Sequence, residues 1–352
     1  MTADERIRAI INTGHFFSQF TPQGIHKTDN PLNTVFFDRF QDEINNAHNY
    51  NQWFTAENVR HAIYALSLML DEQEVLNWIN SYPAVFNPRS PKKIGVIMAG
   101  NIPMAGFHDF LCVLVSGNYF IGKLSSKDQQ LMKLTGELFI FLNPGFKEFI
   151  HWETGQLSQF DAVIASGGNL ASRYFNYYFA KYPSIIRRNR NSVAILDGFE
   201  NQNDMDKLAD DIFLYFGLGC RNVSKLFVPT GYNFDLFFKG IEKYKYISDH
   251  NKYCNNYEYQ KSIYLLSITR HMDNGFILLK KDNAISSPVG VLYYDEYISR
   301  PDADTVIKAA GSDIQCVATR DGSYGIPFGS TQFPQVYSYA DNIDVMEFLL
   351  NL

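Results

Sequence analysis

The chain has 352 residues, of which 46% are hydrophobic and 15% aromatic, including 29 Phe and 22 Tyr. That much apolar side chain supplies more than one core and excludes an intrinsically disordered chain. A formal charge of -6, with no dense Lys/Arg tract, gives no electrostatic ground for binding nucleic acid or for a polybasic membrane surface.

The opening residues MTADERIRAIINTG mix acids with bases and lack an apolar centre, so they do not read as a secretory signal. No stretch reaches the length of a membrane span. Cys112, Cys220, Cys254 and Cys316 are widely spaced without a CxxC pair, which fits thiols in a reducing cytoplasm better than a disulfide framework. Helical spacing of Phe36, Phe37, Phe40, Val59, Ile63, Leu66 and Met69 predicts an N-terminal helical layer that ends near Pro83. From residue 93 the period changes. The short β-rich runs IGVIMAG, YFIGKL, DAVIAS and SVAILD alternate with GFHDFLCVLVSG, KDQQLMKLTGELFIFL and ASRYFNYYFAKY, which have helical length. Such alternation predicts an α/β fold with a mainly parallel, doubly wound sheet. After Asp197 an acidic, helix-prone stretch leads into FGLGCRNVSKLFVP, where SKLFVP reads as a strand. Further strands are expected at ILLKK, VGVLYYDE and IQCVAT, with helical pieces at 232–247, 255–266 and 302–310. A domain boundary is expected near residue 200.

Several of these junctions carry residues suited to chemistry. MAGNIPMAGF (98–107) exposes Gly100, Asn101 and Pro103 at a strand end, where open α/β sheets receive ligands. Asn and Gly are also ordinary turn residues, so the choice lies between a tight turn and an Asn101 amide that donates to a developing oxyanion. SGGNLAS places Gly167 and Gly168 where a strand turns into a helix. There a pyrophosphate can approach the helix N-terminus, but the full GxGxxG fingerprint is missing and a purely structural strand-to-helix turn accounts for the residues equally well. IGKLSSKD sets Lys123, Ser125 and Ser126 at another strand end. That trio suits a nucleotide 2′-phosphate, and a lone Lys there is equally an ordinary surface charge. Cys220, between a glycine and Arg221, is either a small core side chain or a nucleophile. His250 and Cys254 have the i,i+4 spacing of a metal pair but no third ligand nearby. A Cys/His hydrolase joining Cys220 to His108, His151 or His271 finds no support in the spacing.

Taken in order over residues 93–335, these pieces resemble the aldehyde dehydrogenase superfamily. GNIPMAGF is similar to its Asn-aromatic-Pro motif, VSGNYFIGKLSS to its strand ending in Lys-x-Ser-Glu, IASGGNLAS to its phosphate-proximal turn, and FGLGCRNVSKLFVP to its nucleophile motif. Within that superfamily the chain is most similar to the bacterial luminescence-type fatty acyl-CoA reductases, whose ending IPFGSTQFPQVYSYADNIDVMEFLL resembles, though the chain is shorter than typical members. The resemblance implies an aldehyde dehydrogenase-like fold with two domains, each built on a mainly parallel doubly wound sheet. Residues 1–198 would hold the N-terminal helices and a Rossmann-like NADP-binding domain, 199–325 the catalytic domain, and 326–352 a segment returning towards the cofactor domain. It implies Cys220 as the nucleophile, Asn101 as the oxyanion donor, and Lys123, Ser125, Ser126, Gly167 and Gly168 as cofactor contacts, with no metal. The expected substrate is an acyl-CoA or acyl-carrier thioester. An acyl-transferring partner enzyme and a homo-oligomer are also expected.

Departures from the superfamily pattern refine the expectation. IIRRNRNSVAIL has Ile186 at about the position of the Glu that activates water in hydrolytic relatives, which disfavours release of a free acid and favours reduction. Ser126 replaces a ribose-binding Glu and points to NADPH. Ala284, in AISSPVGVL, replaces a Glu that would hold the nicotinamide ribose. Arg187, Arg188 and Arg190 fall in the stretch that lost the Glu. Such a cluster is usually a solvated face; the sharper reading has one or two of the three contact a phosphate of NADPH or CoA. The alternatives to an acyl-CoA reductase are an NADP-dependent aldehyde or semialdehyde dehydrogenase and a non-catalytic acyl-binding partner protein.

Overall fold

The first helix, α1 (Ala3–Phe17), begins on a capping box: the Thr2 hydroxyl accepts the N–H of Glu5, and the Glu5 carboxylate accepts the N–H of Thr2 at 2.7 Å. A small hairpin, β1 (Phe20–Thr21) and β2 (Gly24–Ile25), separates it from α2 (Asp38–Tyr50), α3 (Ala56–Met69) and α4 (Glu72–Asn80). Thr55 caps α3, and Asp71 caps α4 by accepting the N–H groups of Gln73 and Glu74. The computed structural model describes all residues 1–352. They form two units, one of Met1–Asn189 with Phe333–Leu352 and the other of Arg190–Gln332.

In the first unit the chain continues through β3 (Lys93–Ile97), α5 (Phe107–Val115), β4 (Tyr119–Lys123), α6 (Gln130–Leu142), α7 (Phe146–Phe149), β5 (Ile150–Trp152), β6 (Ala162–Ser166), α8 (Asn169–Tyr178) and β7 (Ser184–Arg187). The five strands are parallel in the order β5-β4-β3-β6-β7. Alternate side chains divide between the two faces. Ile94, Val96, Ala162 and Ile164 join the large core built with α1–α6, whereas Ile97, Ile121, Val163 and Ala165 pack with Leu157, Phe160, Phe175 and Phe179. The large core is cemented by aromatic edges, such as Phe110 against Phe120 at 5.0 Å between ring centroids. The order of strands reverses at β3 and β6, with β4 and β5 added on one side and β7 on the other, so the crevice at their carboxyl ends is the topological switch point where such sheets bind ligands.

The second unit holds β8 (Asn191–Ile195), α9 (Gln202–Phe213), β9 (Val223–Pro229), α10 (Asp235–Ile241), α11 (Asn251–Leu266), β10 (Met272–Asp273), β11 (Leu278–Lys281), β12 (Val291–Tyr297), α12 (Arg300–Ala310), β13 (Ile314–Thr319) and β14 (Ile326–Pro327). Its sheet runs β10-β11-β12-β9-β8-β13-β14, parallel except for β10. The final helix α13 (Val345–Leu350) belongs to the first unit and packs on α5. Trp78 donates to the Tyr339 hydroxyl at 2.8 Å, and Tyr82 donates to Asp344 at 2.6 Å. No helix is long and apolar enough to cross a membrane.

The unit boundaries differ from the expected 198/199 and 325/326. SVAILD, read as the end of the first domain, forms β8 and pairs with β9 and β13, which moves the change of unit to Asn189/Arg190. IP at 326–327 pairs with β13, which keeps the chain in the second unit as far as Gln332.

Candidate functional site

The loop that carries Cys220 joins α9 to β9. It turns through three consecutive left-handed residues, Tyr215 (φ 54°), Phe216 (φ 57°) and Gly217 (φ 75°). Glycine adopts this conformation without a Cβ clash, whereas each of the two aromatics stores strain of order 1–3 kcal/mol. Their rings are buried, and that packing holds the backbone where it is. Asn222, only 1% exposed, shapes the rest of the turn. Its side-chain carbonyl accepts the N–H of Gly219 at 2.8 Å, and its NH2 donates to the carbonyls of Asp211 at 3.1 Å and Leu214 at 2.9 Å. These carbonyls belong to the last turn of α9 and its exit, so one amide both caps the helix and fixes the loop.

Cys220 is half-buried. Its carbonyl accepts the hydroxyl of Ser192, a wholly buried residue on β8, at 3.0 Å. The same hydroxyl oxygen accepts the N–H of Cys316 at 3.2 Å and lies 2.9 Å from the Cys316 sulfur. Burial pushes the Cys316 thiol above its ordinary value. The nearby charge of Arg221 works in the opposite direction, and ionisation of Cys220 would raise the thiol further. Behind the loop, the buried carboxylate of Asp211 accepts the N–H of Gly329 at 2.7 Å and both the N–H and the hydroxyl of Thr331, at 3.0 and 2.7 Å. Burial lifts it to about 6. The PFGST turn is thereby tied to α9.

The second set of candidates lies in the first unit, at the carboxyl ends of β3, β4 and β6. Asn101 is exposed on the turn after β3. Two buried side chains hold that turn: Asn51 donates to the carbonyl of Gly100 at 3.4 Å, and Asp128 accepts the N–H of Met104 at 2.7 Å. Met104 is itself left-handed, with φ 56°. Asp128 is pushed up to about 7 by burial, against the pull of the Met104 and Ala105 amides. Ser125 packs on Gly100 so closely that a Cβ there would lie 2.5 Å from the serine hydroxyl oxygen. Lys123 donates to the carbonyl of Gly155 at 2.7 Å, and Ser126 is exposed. Gly167 and Gly168 lead into α8, whose first turn has no side-chain cap. A Cβ on Gly167 would lie 2.9 Å from Ala171 and Phe175. The bare Gly167 lets Ala171 and Phe175 pack on the turn, and the uncapped first turn of α8 leaves N–H groups of the kind that bind the pyrophosphate of a dinucleotide. On the sheet face that carries Ile121 lies an open cavity of about 470 Å³, lined by Lys93, Tyr119, Ile121, His151, Glu153 and Ser158, which reaches the amino ends of β3 and β4.

The structure therefore assembles Lys123, Ser125 and the Asn101 turn at neighbouring strand ends and sets Gly167 and Gly168 at the next. It takes Arg187 out of both readings of the arginine cluster, the solvated face and the phosphate contact. Arg187 closes β7, is 7% exposed, and pairs with Asp109 at 2.5 Å. Burial opposes its charge, but Asp109 beside it holds the guanidinium above its ordinary value. Arg188 is exposed and Arg190 half-buried. Ile186 sits on β7 opposite Ala165, and Ala284 occupies an exposed turn after β11. The histidines have local partners. His108 lies 2.7 Å from the carbonyl of Val336, His151 is 2.9 Å from that of Glu148, and His271 is 2.8 Å from that of Thr269. His250 caps α11 through Tyr253 and packs on the ring of Phe216. No cluster of His, Cys, Asp or Glu side chains is arranged to hold a metal.

Neither a family model nor a curated protein sequence matches the chain. Solved structures do. An indole-3-acetaldehyde dehydrogenase of P. syringae in complex with NAD+ superposes with a TM-score of 0.63 at 13% identity, over 91% of this chain and 72% of that one. The fold is that of the aldehyde dehydrogenases. An NADP-dependent enzyme of E. coli gives a TM-score of 0.63 at 14% identity, over 91% of this chain and 73% of its own. An aldehyde dehydrogenase of Mycobacterium tuberculosis complexed with NAD+ gives 0.61 at 13% identity, with the same two coverages. At such identities the likeness is one of fold. It agrees with the aldehyde dehydrogenase-like α/β architecture expected from the sequence.

Proposed function

We propose that the chain is an NADPH-dependent reductase of acyl thioesters, above all of a long-chain acyl-CoA, that releases the aldehyde through an S-acyl intermediate on Cys220. The loop around Cys220 carries this reading. Strained left-handed residues and the buried side chains of Ser192 and Asn222 hold one cysteine at the entrance to β9. Strain kept by packing at a loop tip is characteristic of functional positions. The Cys220 thiolate adds to the thioester carbonyl carbon, whose π electrons move onto oxygen. The proposed donors to that oxyanion are the Asn101 amide and the N–H of Cys220. Collapse of the adduct breaks the bond to the CoA sulfur, which leaves as a thiolate, and the acyl group stays on Cys220. NADPH, when bound, supplies the hydride that reduces the acyl carbon. The Cys220 sulfur retakes its bonding pair as the aldehyde departs.

Ile186 supports reduction over hydrolysis, because an alkyl side chain cannot take a proton from water. The proposed cofactor contacts are Lys123, Ser125, Ser126, Gly167 and Gly168. A hydroxyl at 126, three residues after the cationic Lys123, tolerates a 2′-phosphate that a carboxylate would repel. The same reading includes a CoA or acyl-carrier donor, an acyl-transferring partner, a homo-oligomer and a cytoplasmic location. Arg188 or Arg190 is proposed to contact a nucleotide phosphate; unchanged nucleotide affinity in their Arg→Ala variants rejects that contact.

The test is to mix the protein with a long-chain acyl-CoA without cofactor, measure intact mass, then add NADPH and assay aldehyde. An acyl adduct that is absent from Cys220→Ala and discharged by NADPH is expected. No adduct on the wild type, or an equal adduct on the variant, rejects the mechanism. The second reading, an aldehyde dehydrogenase, is favoured by the names of the structural neighbours. It requires a free acid to form from an aldehyde and NADP+.

A further inference from the structure

The proposed reaction leaves a second thiol beside the nucleophile loop unused. Ser192 touches both cysteine residues through one hydroxyl, 3.0 Å from the carbonyl oxygen of Cys220 and 2.9 Å from the sulfur of Cys316. That hydroxyl has a single proton. With the proton given to Cys220, the Cys316 S–H is the donor in the remaining contact. Cys316 also stands at an irregularity: the pairing of β13 with β8 changes register between Ile314 and Val317. A bulge of this kind re-aims a side chain out of the ladder. Neither Cys220 nor Cys316 is in a disulfide in the structure.

We propose that Cys316 is the resolving partner of Cys220, so that oxidation of the nucleophile by a peroxide ends in a reversible Cys220–Cys316 disulfide. The proposal rests on the preceding section only in taking Cys220 as the reactive thiol. In the first step the Cys220 thiolate attacks one peroxide oxygen, the O–O bond breaks, hydroxide leaves and a sulfenic acid forms. In the second, the Cys316 sulfur attacks the sulfenic sulfur and the S–O bond breaks. The departing hydroxide takes the Cys316 proton and leaves as water. Sulfur is oxidised by two electrons and the peroxide is reduced by two. An external dithiol reverses the change by two exchanges. Cys316, half-buried like Cys220, suits the resolving role because its thiol is held above its ordinary value and stays protonated at rest. Cys112 is fully buried on α5, and Cys254 lies on α11.

The experiment treats the full chain with one equivalent of hydrogen peroxide, blocks remaining thiols, digests without reduction and maps the peptides. The expected result is a cross-link between the Cys220 and Cys316 peptides, with two thiols lost together and both restored by dithiothreitol. In Cys316→Ser, the same treatment should carry Cys220 to sulfinic acid, a loss that dithiothreitol does not reverse. Cys220 over-oxidised beside an intact Cys316 in the wild type, or a cross-link to Cys112 or Cys254, overturns the proposal. The wild-type map decides by itself if Cys316→Ser fails to fold. A cross-link without any acyl adduct rejects the reductase and keeps the pair; an adduct without a cross-link does the reverse.

Discussion

Replacing Asp128 by Asn should change how stability depends on pH, with a magnitude set by the burial of that carboxyl group. Asp128 is 6% exposed and accepts the N–H of Met104 at 2.7 Å, and burial raises it from 3.8 to about 7. A group whose folded value lies above its unfolded value holds its proton more tightly in the folded chain. Its contribution is complete below about pH 4 and is lost as pH rises towards about 7. At 1.36 kcal/mol per unit, a window of roughly 3 units gives a loss of about 4 kcal/mol. An amide at this position accepts the same N–H without titrating. Urea unfolding of wild type and Asp128→Asn at half-unit steps from pH 4 to 8 isolates the effect. The wild type should lose about 4 kcal/mol relative to the variant across the window, with a flat difference above it. A constant difference throughout would show that the carboxyl group is ionised in the folded state and that the turn bearing Asn101 is not held by a buried acid.

Asn222→Ala strands the N–H of Gly219 and the carbonyls of Asp211 and Leu214, so at about 1 kcal/mol each the second unit should lose about 3 kcal/mol in urea. An unchanged midpoint contradicts the role given to that side chain. Gly217→Ala places a Cβ at φ 75° and should cost about 1 kcal/mol while altering the alkylation rate of Cys220; identical rates and stability would show a relaxed loop. Asp109→Asn leaves the buried Arg187 without its counter-charge and should lower stability by about 3 kcal/mol or more, read by thermal melting. Ser126→Glu should weaken NADPH relative to NADH by about tenfold in direct binding, the worth of one like-charge contact near 1.4 kcal/mol. Equal affinities would remove residue 126 from the cofactor site.

The doubly wound sheets were legible because strand and helix periods are local properties. IGVIM, YFIGK and DAVIA show β-rich runs between stretches of helical length, and those became β3, β4 and β6. α1 escaped notice because its charged first turn hides an apolar face that only the core around Ile7, Ile10 and Phe17 reveals. Around the cysteine, FGLGCRN marked the approach to the strand SKLFVP. Nothing in those residues announced Ser192, which precedes Cys220 by 28 positions and Cys316 by 124. Asn222 stood inside the same motif, and its residue type, suited to capping, was the one available signal.

Composition and periodicity, by themselves, determined the α/β class, the longer strands and helices in their order, and which short motifs fall at strand ends; α1, β5, β7 and the two-residue strands were not read. The features that were read follow from backbone sterics and from side chains within a few residues of each other. The tertiary structure decided the rest. It gave SVAIL to the second sheet, turned Arg187 from a surface charge into the buried partner of Asp109, and set Cys316 against the hydroxyl that holds Cys220. Each outcome depends on strands far apart in the chain lying side by side, and no local period encodes which strands those are.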